Sequence, residues 1–202
     1  MNAPIASQRR LIVGISGASG AIYGLRLLQL LRNAGVEAHL VMSKTAELTF
    51  AYETAVKIAD VKALAHTAHD INDMAASIAS GSFRTFGMIV APCSIRSMSE
   101  IANGTTTTLL TRAADVTLKE RRRLVLMVRE TPLHAGHLRT MAALSEIGAI
   151  VAPPVPAFYA RPNTIEEMVD HTVGRMLDLF DIEVGPIRRW GEDSDLRRRP
   201  LK

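Results

Sequence analysis

The sequence predicts an α/β protein in which a parallel sheet is covered by helices on both faces. Three observations carry that expectation. The apolar runs at 11–16, 87–92 and 124–128 are continuous rather than alternating, as strands buried on both sides require. Segments between them repeat apolar residues at helical spacing. Strand-like and helix-like stretches alternate along the chain, the pattern of βαβ units joined by right-handed crossovers.

Taken in order, residues 1–8 read as a short loose arm and 11–16 as the first strand. Residues 21–34 form a helix with Leu25, Leu28 and Leu31 on one face, stopped by Gly35. The second strand is 36–42, and 44–65 has helical pattern with one interruption near Thr54. Residues 66–86 are polar and rich in small side chains, with no clear element. The strand at 87–92 leads to a helix at 94–102, ended by Asn103-Gly104. Residues 105–121 read as a helix despite four threonines, which are weak helix formers. The strand at 124–128 precedes a helix at 135–147, broken by Gly148, and a short strand at 149–152. After the turn Pro153-Pro154-Val155-Pro156, Thr164 caps a final helix over 165–181. Glu166 and Glu167 lie in its first turn, where the helix dipole favours anions. With no repeat or linker, the 202 residues are expected to form one domain, with 1–8 and about 192–202 as loose ends.

Hydrophobic residues make up 48% and charged residues 22%, which suits a globular protein with a real core. The single cysteine, Cys93, excludes an internal disulfide and suits a reducing compartment. The first apolar run is too short to span a membrane and lacks a signal-peptide pattern. A cytoplasmic protein without a membrane partner is therefore expected. Much of the net charge of +4 lies in arginine clusters at 121–123 and 197–199. Aromatic residues are only 4%, too few to stack bases, so these clusters read as a solvated helix end and tail rather than a nucleic-acid surface. No metal is expected either, because His66-x-x-His69 and His134-x-x-His137 lack an acid or cysteine to complete a set.

The polar residues with most chemical potential follow strands, where ligands of open α/β sheets bind. Gly17-Ala18-Ser19-Gly20 is either a tight turn with a serine cap or a cradle whose helix N–H groups receive phosphate. It lacks the spacing of a dinucleotide fingerprint and the Gly-Lys-Ser/Thr end of a P-loop. Ser43 and Ser94 to Ser97 repeat the arrangement after two further strands. Arg129 and Glu130 directly follow a buried strand and are either a surface salt bridge or a site that holds an anion and moves a proton. Arg112 and Lys119 are seven apart on the preceding helix, close enough in angle to share a face. Tyr159 and Arg175 are unremarkable by themselves.

Together these residues match a known pattern. From residue 11 to residue 190 the chain resembles the UbiX-type flavin prenyltransferases, formerly labelled polyprenyl-hydroxybenzoate or aromatic acid carboxy-lyases. The resemblance rests on Gly17-Ala18-Ser19-Gly20, Ser43-Lys44, Pro92-Cys93-Ser94, Arg112-Ala113-Ala114-Asp115-Val116 and Leu118-Lys119-Glu120-Arg121-Arg122. It continues through Arg129-Glu130-Thr131-Pro132-Leu133, Pro156-Ala157-Phe158-Tyr159, Arg175 and Arg189-Trp190-Gly191. It implies a Rossmann-like, flavodoxin-like fold that joins a dimethylallyl group from dimethylallyl phosphate to N5 and C6 of reduced FMN. Phosphate leaves, no metal takes part, and the prenylated FMN serves a separate decarboxylase of the ubiquinone or aromatic acid type. The family usually forms a homo-dodecamer with active sites between subunits.

By position, the resemblance implies FMN contacts from Gly17, Ala18, Ser19, Ser43, Ser94, Ile95, Arg96, Ser97 and Arg129. Lys119, Arg129 and Glu130 would hold the allylic phosphate from one subunit, with Tyr159 and Arg175 reaching it from a neighbour. Arg112 and Trp190 would flank the site. Ser19, Lys119 and Glu130 would be catalytic, with Glu130 as acid–base and Ser19 as a proton relay near N5. A carboxylate among cations is pushed toward its ionised form, which favours the base role for Glu130. Arg96-Ser97 stands where a Lys/Gly-Thr pair is more usual, and Met127-Val128 where some members carry proline. Two alternatives stand beside this one. FMN-dependent cysteine decarboxylases carry a catalytic histidine and a Pro-Ala-Ser-Ala-Asn-Thr segment, where this chain has Pro92-Cys93-Ser94-Ile95-Arg96-Ser97. A non-catalytic FMN-carrying partner subunit would share the binding residues.

Overall fold

A computed structural model of the chain describes residues 9–185 and 187–191. The expected loose ends, with the arginines at 197–199, lie outside the described residues. The strands are β1 (Arg10–Ile15), β2 (Glu37–Met42), β3 (Thr67–His69), β4 (Gly87–Cys93), β5 (Arg123–Val128) and β6 (Ile150–Val151). They form one sheet in the order β3-β2-β1-β4-β5-β6, and every pairing is parallel. The helices are α1 (Ala21–Asn33), α2 (Lys44–Glu53), α3 (Ile58–Leu64), α4 (Ile95–Ala102), α5 (Leu109–Lys119), α6 (Ala135–Glu146) and α7 (Ile165–Asp178).

The strand order explains the three layers. The chain winds outward from β1 to β3, returns beside β1 as β4, and winds the other way to β6. Crossovers of one hand running in opposite directions put their helices on opposite faces. Leu25, Leu28 and Leu31 of α1, Phe50 of α2 and Val173 of α7 pack on one face. Met98 and Ile101 of α4, Leu109 and Ala113 of α5 and Leu144 of α6 pack on the other. All seven residues of β4 are buried, so its unbroken apolar run is what a central strand demands. The reversal leaves a crevice beyond the carboxyl ends of β1 and β4, the switch point at which doubly wound sheets bind ligands.

The helical pattern at 44–65 is interrupted at Thr54 as expected, and divides there into α2 and α3. The elements depart from the sequence expectations in three places. The unclear region 66–86 contains β3 and a one-turn 3₁₀ helix, Ser77–Ala79. The helix expected from 105 begins only at Leu109, because Thr108 and Thr111 cap it reciprocally through side chain and backbone. The last helix stops at Asp178, and Asp181 is left-handed at φ 55°. Among the described residues, no helix is long and apolar enough to cross a membrane.

Candidate active site

Ser16 ties the two strands that flank the crevice. Its hydroxyl donates to the Pro92 carbonyl at 3.0 Å and accepts from the Ser94 N–H at 2.7 Å, with only 1% of the residue exposed. The loop that follows passes against the start of α2. A Cβ on Gly17 would lie 2.4 Å from the Thr45 Cβ, so only glycine fits there. Ser43 caps α2 by accepting from the Ala46 N–H at 3.1 Å, and Ser94 caps α4 by accepting from the Ser97 N–H at 3.2 Å. Gly17, Ser43, Thr45, Ser94, Arg96 and Ser97 line one cleft of about 280 Å³. Two helix N-termini and several hydroxyls thus meet at one place, which is a donor set matched to a phosphate group. Arg96 is drawn to Glu100 at 2.8 Å.

The turn at 17–20 plays a different part from the phosphate cradle that its glycines suggested. The N–H groups of Gly20 and Ala21 both donate to the Glu53 carboxylate at 2.8 Å. Gly20 adopts φ 104° and offers no side chain to cap α1, so Glu53 supplies the missing acceptor from the end of α2. Burial acts to raise the Glu53 carboxyl, but hydrogen bonds from the Ser19 hydroxyl, Ala21 and Gly20, with the Arg129 charge, hold it below the usual carboxylate range. The phosphate-suited end of the cleft therefore belongs to α2 and α4. Ser19, Glu53 and Arg129 form a separate polar group beside it. Tyr23 faces the same arginine: burial raises its phenol, and the Arg129 charge partly offsets that. Arg129 leaves β5 with its N–H donating to the Cys93 carbonyl at 3.1 Å, and the exposed Glu130 follows it.

Lys119 does not join this group within one chain. Helix α5 runs back across the sheet, and Lys119, paired with Glu120, ends it four residues before β5 begins. Arg129 lies just past the other end of β5. A six-residue strand separates them by about 20 Å, at roughly 3.3 Å per residue. The expectation that Lys119, Arg129 and Glu130 act from one subunit is therefore corrected: a site with all three takes more than one copy. Arg112, one turn into α5, is half-buried and bonded to Asp115 at 2.8 Å and to the Ala79 carbonyl at 3.3 Å. It and Lys119 thus have different partners.

Tyr159, Arg175 and Trp190 gather around α7. The Tyr159 ring meets Trp190 edge-on, with centroids 5.6 Å apart. Arg175 donates to Asp178 at 2.5 Å, and Arg189 holds the same carboxylate through two bonds of 2.7 and 2.8 Å. Arg189 above all keeps Asp178 below the usual carboxylate range, against the effect of burial and with help from Arg175. Ser16, Glu53, Asp178 and His171, which touches Tyr159, are the members that sequence reasoning missed. Only Ser16 carried a local signal, a polar residue closing an apolar strand. Cys93 takes no part: it is buried, and burial pushes its thiol up to about 12.

Comparison with known proteins gives this geometry a context. A family model described as Flavoprotein matches residues 4–182. The flavin prenyltransferase UbiX of Thauera aromatica is 59% identical over 191 residues, covering 94% of this chain and 98% of that protein. A crystal structure of AnUbiX (PadA1) in complex with FMN and dimethylallyl pyrophosphate superposes with a TM-score of 0.91 at 52% identity, over 93% of this chain and 100% of that one. A dodecameric FMN-dependent UbiX-like decarboxylase from Escherichia coli O157:H7 gives 0.87 at 52% identity, over 90% and 98%. Likeness of this degree over nearly the whole length of both partners reaches well past a shared fold, and the chain belongs to the UbiX flavin prenyltransferase family of flavoproteins.

Proposed function

We infer that the chain transfers a dimethylallyl group from dimethylallyl phosphate to N5 and C6 of reduced FMN, releases phosphate, and supplies prenylated FMN to a separate decarboxylase. The observation that carries the reading is the pairing of a phosphate-suited cleft, under the capped starts of α2 and α4, with the Ser19–Glu53–Arg129 group beside it. Reduced flavin, when bound, supplies the nucleophilic atoms. The cleft holds its phosphate through Ser43, Ser94 and Ser97 and the N–H groups of the two helix starts. Gly17, Ala18, Ser19, Ile95, Arg96 and Arg129 complete the flavin contacts.

The remaining roles concern charge and protons. Departure of phosphate leaves negative charge on its oxygens, which fixed cationic donors stabilise best where water is excluded. Arg129 and Lys119, with Tyr159 and Arg175, are assigned to that task, and Arg112 and Trp190 flank it. Glu130 takes the proton from the reacting carbon. Ser19, hydrogen bonded to Glu53, provides a proton route near the flavin ring. Because Lys119 and Arg129 sit beyond opposite ends of β5, the reading requires a closed homo-oligomer in which copies complete each other's sites, a dodecamer by family. One flavoprotein domain in the reducing cytoplasm completes the proposal, in keeping with the single free cysteine.

The test is anaerobic incubation with reduced FMN and dimethylallyl phosphate, followed by mass analysis of the flavin. A gain of one dimethylallyl unit is expected. An unchanged flavin with the monophosphate and a prenylated one with the diphosphate would reassign the donor. An unchanged flavin with both would leave the chain as an FMN carrier and overturn the reading.

A further inference from the structure

Tyr159 is held between two rings. His171 lies 5.5 Å and Trp190 5.6 Å away between centroids, both nearly perpendicular to it. His171 is buried on α7, whereas Tyr159 stays 38% exposed. The His171 Nε2 stands 3.3 Å from the Tyr159 hydroxyl and 3.1 Å from the Arg188 carbonyl oxygen. A carbonyl oxygen only accepts, so this nitrogen must carry a hydrogen. That holds for the neutral ring and the charged one alike. A nitrogen bearing a hydrogen has no lone pair to offer the phenol. Tyr159 therefore accepts a share of that one hydrogen, in a three-centre bond with the Arg188 carbonyl, and its own O–H hydrogen is not taken up by the histidine. The opposite tautomer would set a bare nitrogen lone pair against the Arg188 oxygen.

We propose that His171 is a positioning residue for prenyl transfer, whose Nε2–H holds the Tyr159 oxygen so that the phenol's own hydrogen is left to donate to the phosphate of the allylic donor. The proposal rests on the reading of Tyr159 as a phosphate contact. A phenol that spent its hydrogen on the histidine would turn only lone pairs toward an anion, and the two would repel. The Arg188 carbonyl acts as the lock on the tautomer. Arg188 is tied back through its Nη1 to the Ala160 carbonyl at 3.2 Å, so the segment that carries the lock is anchored beside the phenol that it serves.

The test measures steady-state prenylation and FMN affinity in His171 variants. His171→Leu is expected to raise the KM for dimethylallyl phosphate by up to about tenfold, no more than the loss of the phenol–phosphate contact that it positions, without change in FMN affinity. His171→Gln, which can place an N–H where Nε2 stood, is expected to restore most of the loss. His171→Asn, one bond shorter, is expected to restore little. In a Tyr159→Phe background none of these changes should matter further. If the leucine variant does not fold, the Gln and Asn pair carries the comparison. Equal effects with and without the tyrosine hydroxyl, or Gln and Asn behaving alike, would overturn the role of His171. A wild-type enzyme that consumes no allylic phosphate would instead overturn the reading of the reaction.

Discussion

Replacing Glu53 with alanine removes the acceptor from the start of α1. Its carboxylate takes the Gly20 and Ala21 N–H groups at 2.8 Å each and the Ser19 hydroxyl. Those amides are among the four that a helix leaves without an internal partner, and Gly20 has no side chain to serve them. Losing a side-chain cap costs about 0.5–2 kcal/mol. A charged acceptor moves the effect toward the upper end, while access to water moves it back, so about 1–2 kcal/mol is expected. Glu53→Gln keeps an acceptor without the charge and should cost about half as much. The pH dependence follows from the depressed carboxyl. The ionised side chain stabilises fully above the unfolded value of 4.5, and that stabilisation fades as the pH falls through the lower folded value. Denaturation of wild type and Glu53→Gln side by side should show a gap at pH 7 that narrows in acid. An alanine variant as stable as wild type, or a gap indifferent to acid, would refute the reasoning. Turnover should fall further than stability in Glu53→Gln if Ser19 relays protons through it.

Gly17→Ala brings a methyl to 2.4 Å from the Thr45 Cβ and must push the start of α2 outward. A destabilisation of about 1–3 kcal/mol with weakened FMN binding is expected by denaturation and flavin titration. His39 gives the fold a second acid response. Burial first, then His69, lowers its imidazole to about 4 from 6.5, so the folded state resists a proton that the unfolded chain accepts. Stability should therefore fall from pH 6.5 toward pH 4, by at most about 3 kcal/mol, and His39→Leu should flatten that part of the profile. Arg175→Ala should raise the KM for the allylic phosphate by about tenfold and leave FMN affinity intact. Asp178→Asn, which loosens both Arg175 and Arg189, should give a smaller rise in the same constant; an equal loss of FMN affinity in either variant would mean a different role.

The central strands were legible because burial on both faces leaves an apolar run with no alternation, as in Met88, Ile89 and Val90. Strand β3 was not, since Thr67, Ala68 and His69 form a short edge with no apolar run. The start of α5 was misread because threonine side chains compete for backbone N–H groups, and here they cap rather than extend the helix. The serines of the cleft could be found because each follows a strand and caps a helix. Glu53 could not, for it reaches Gly20 from 33 residues away, and only tertiary packing brings them together. The family resemblance implied that Lys119 and Arg129 converge from one subunit. The reversal of the chain between α5 and β5 separates them instead, and it moves the completion of the site to contacts between copies.

Mixed assembly tests that last point most directly. Lys119→Ala and Arg129→Ala chains, each inactive alone, are to be dissociated, combined in equal amounts and reassembled, and prenylated flavin measured. A site built from different copies predicts that activity returns to about a quarter of the wild-type level, the share in which an intact arginine meets an intact lysine. Chains that assemble together yet stay inactive would contradict the account.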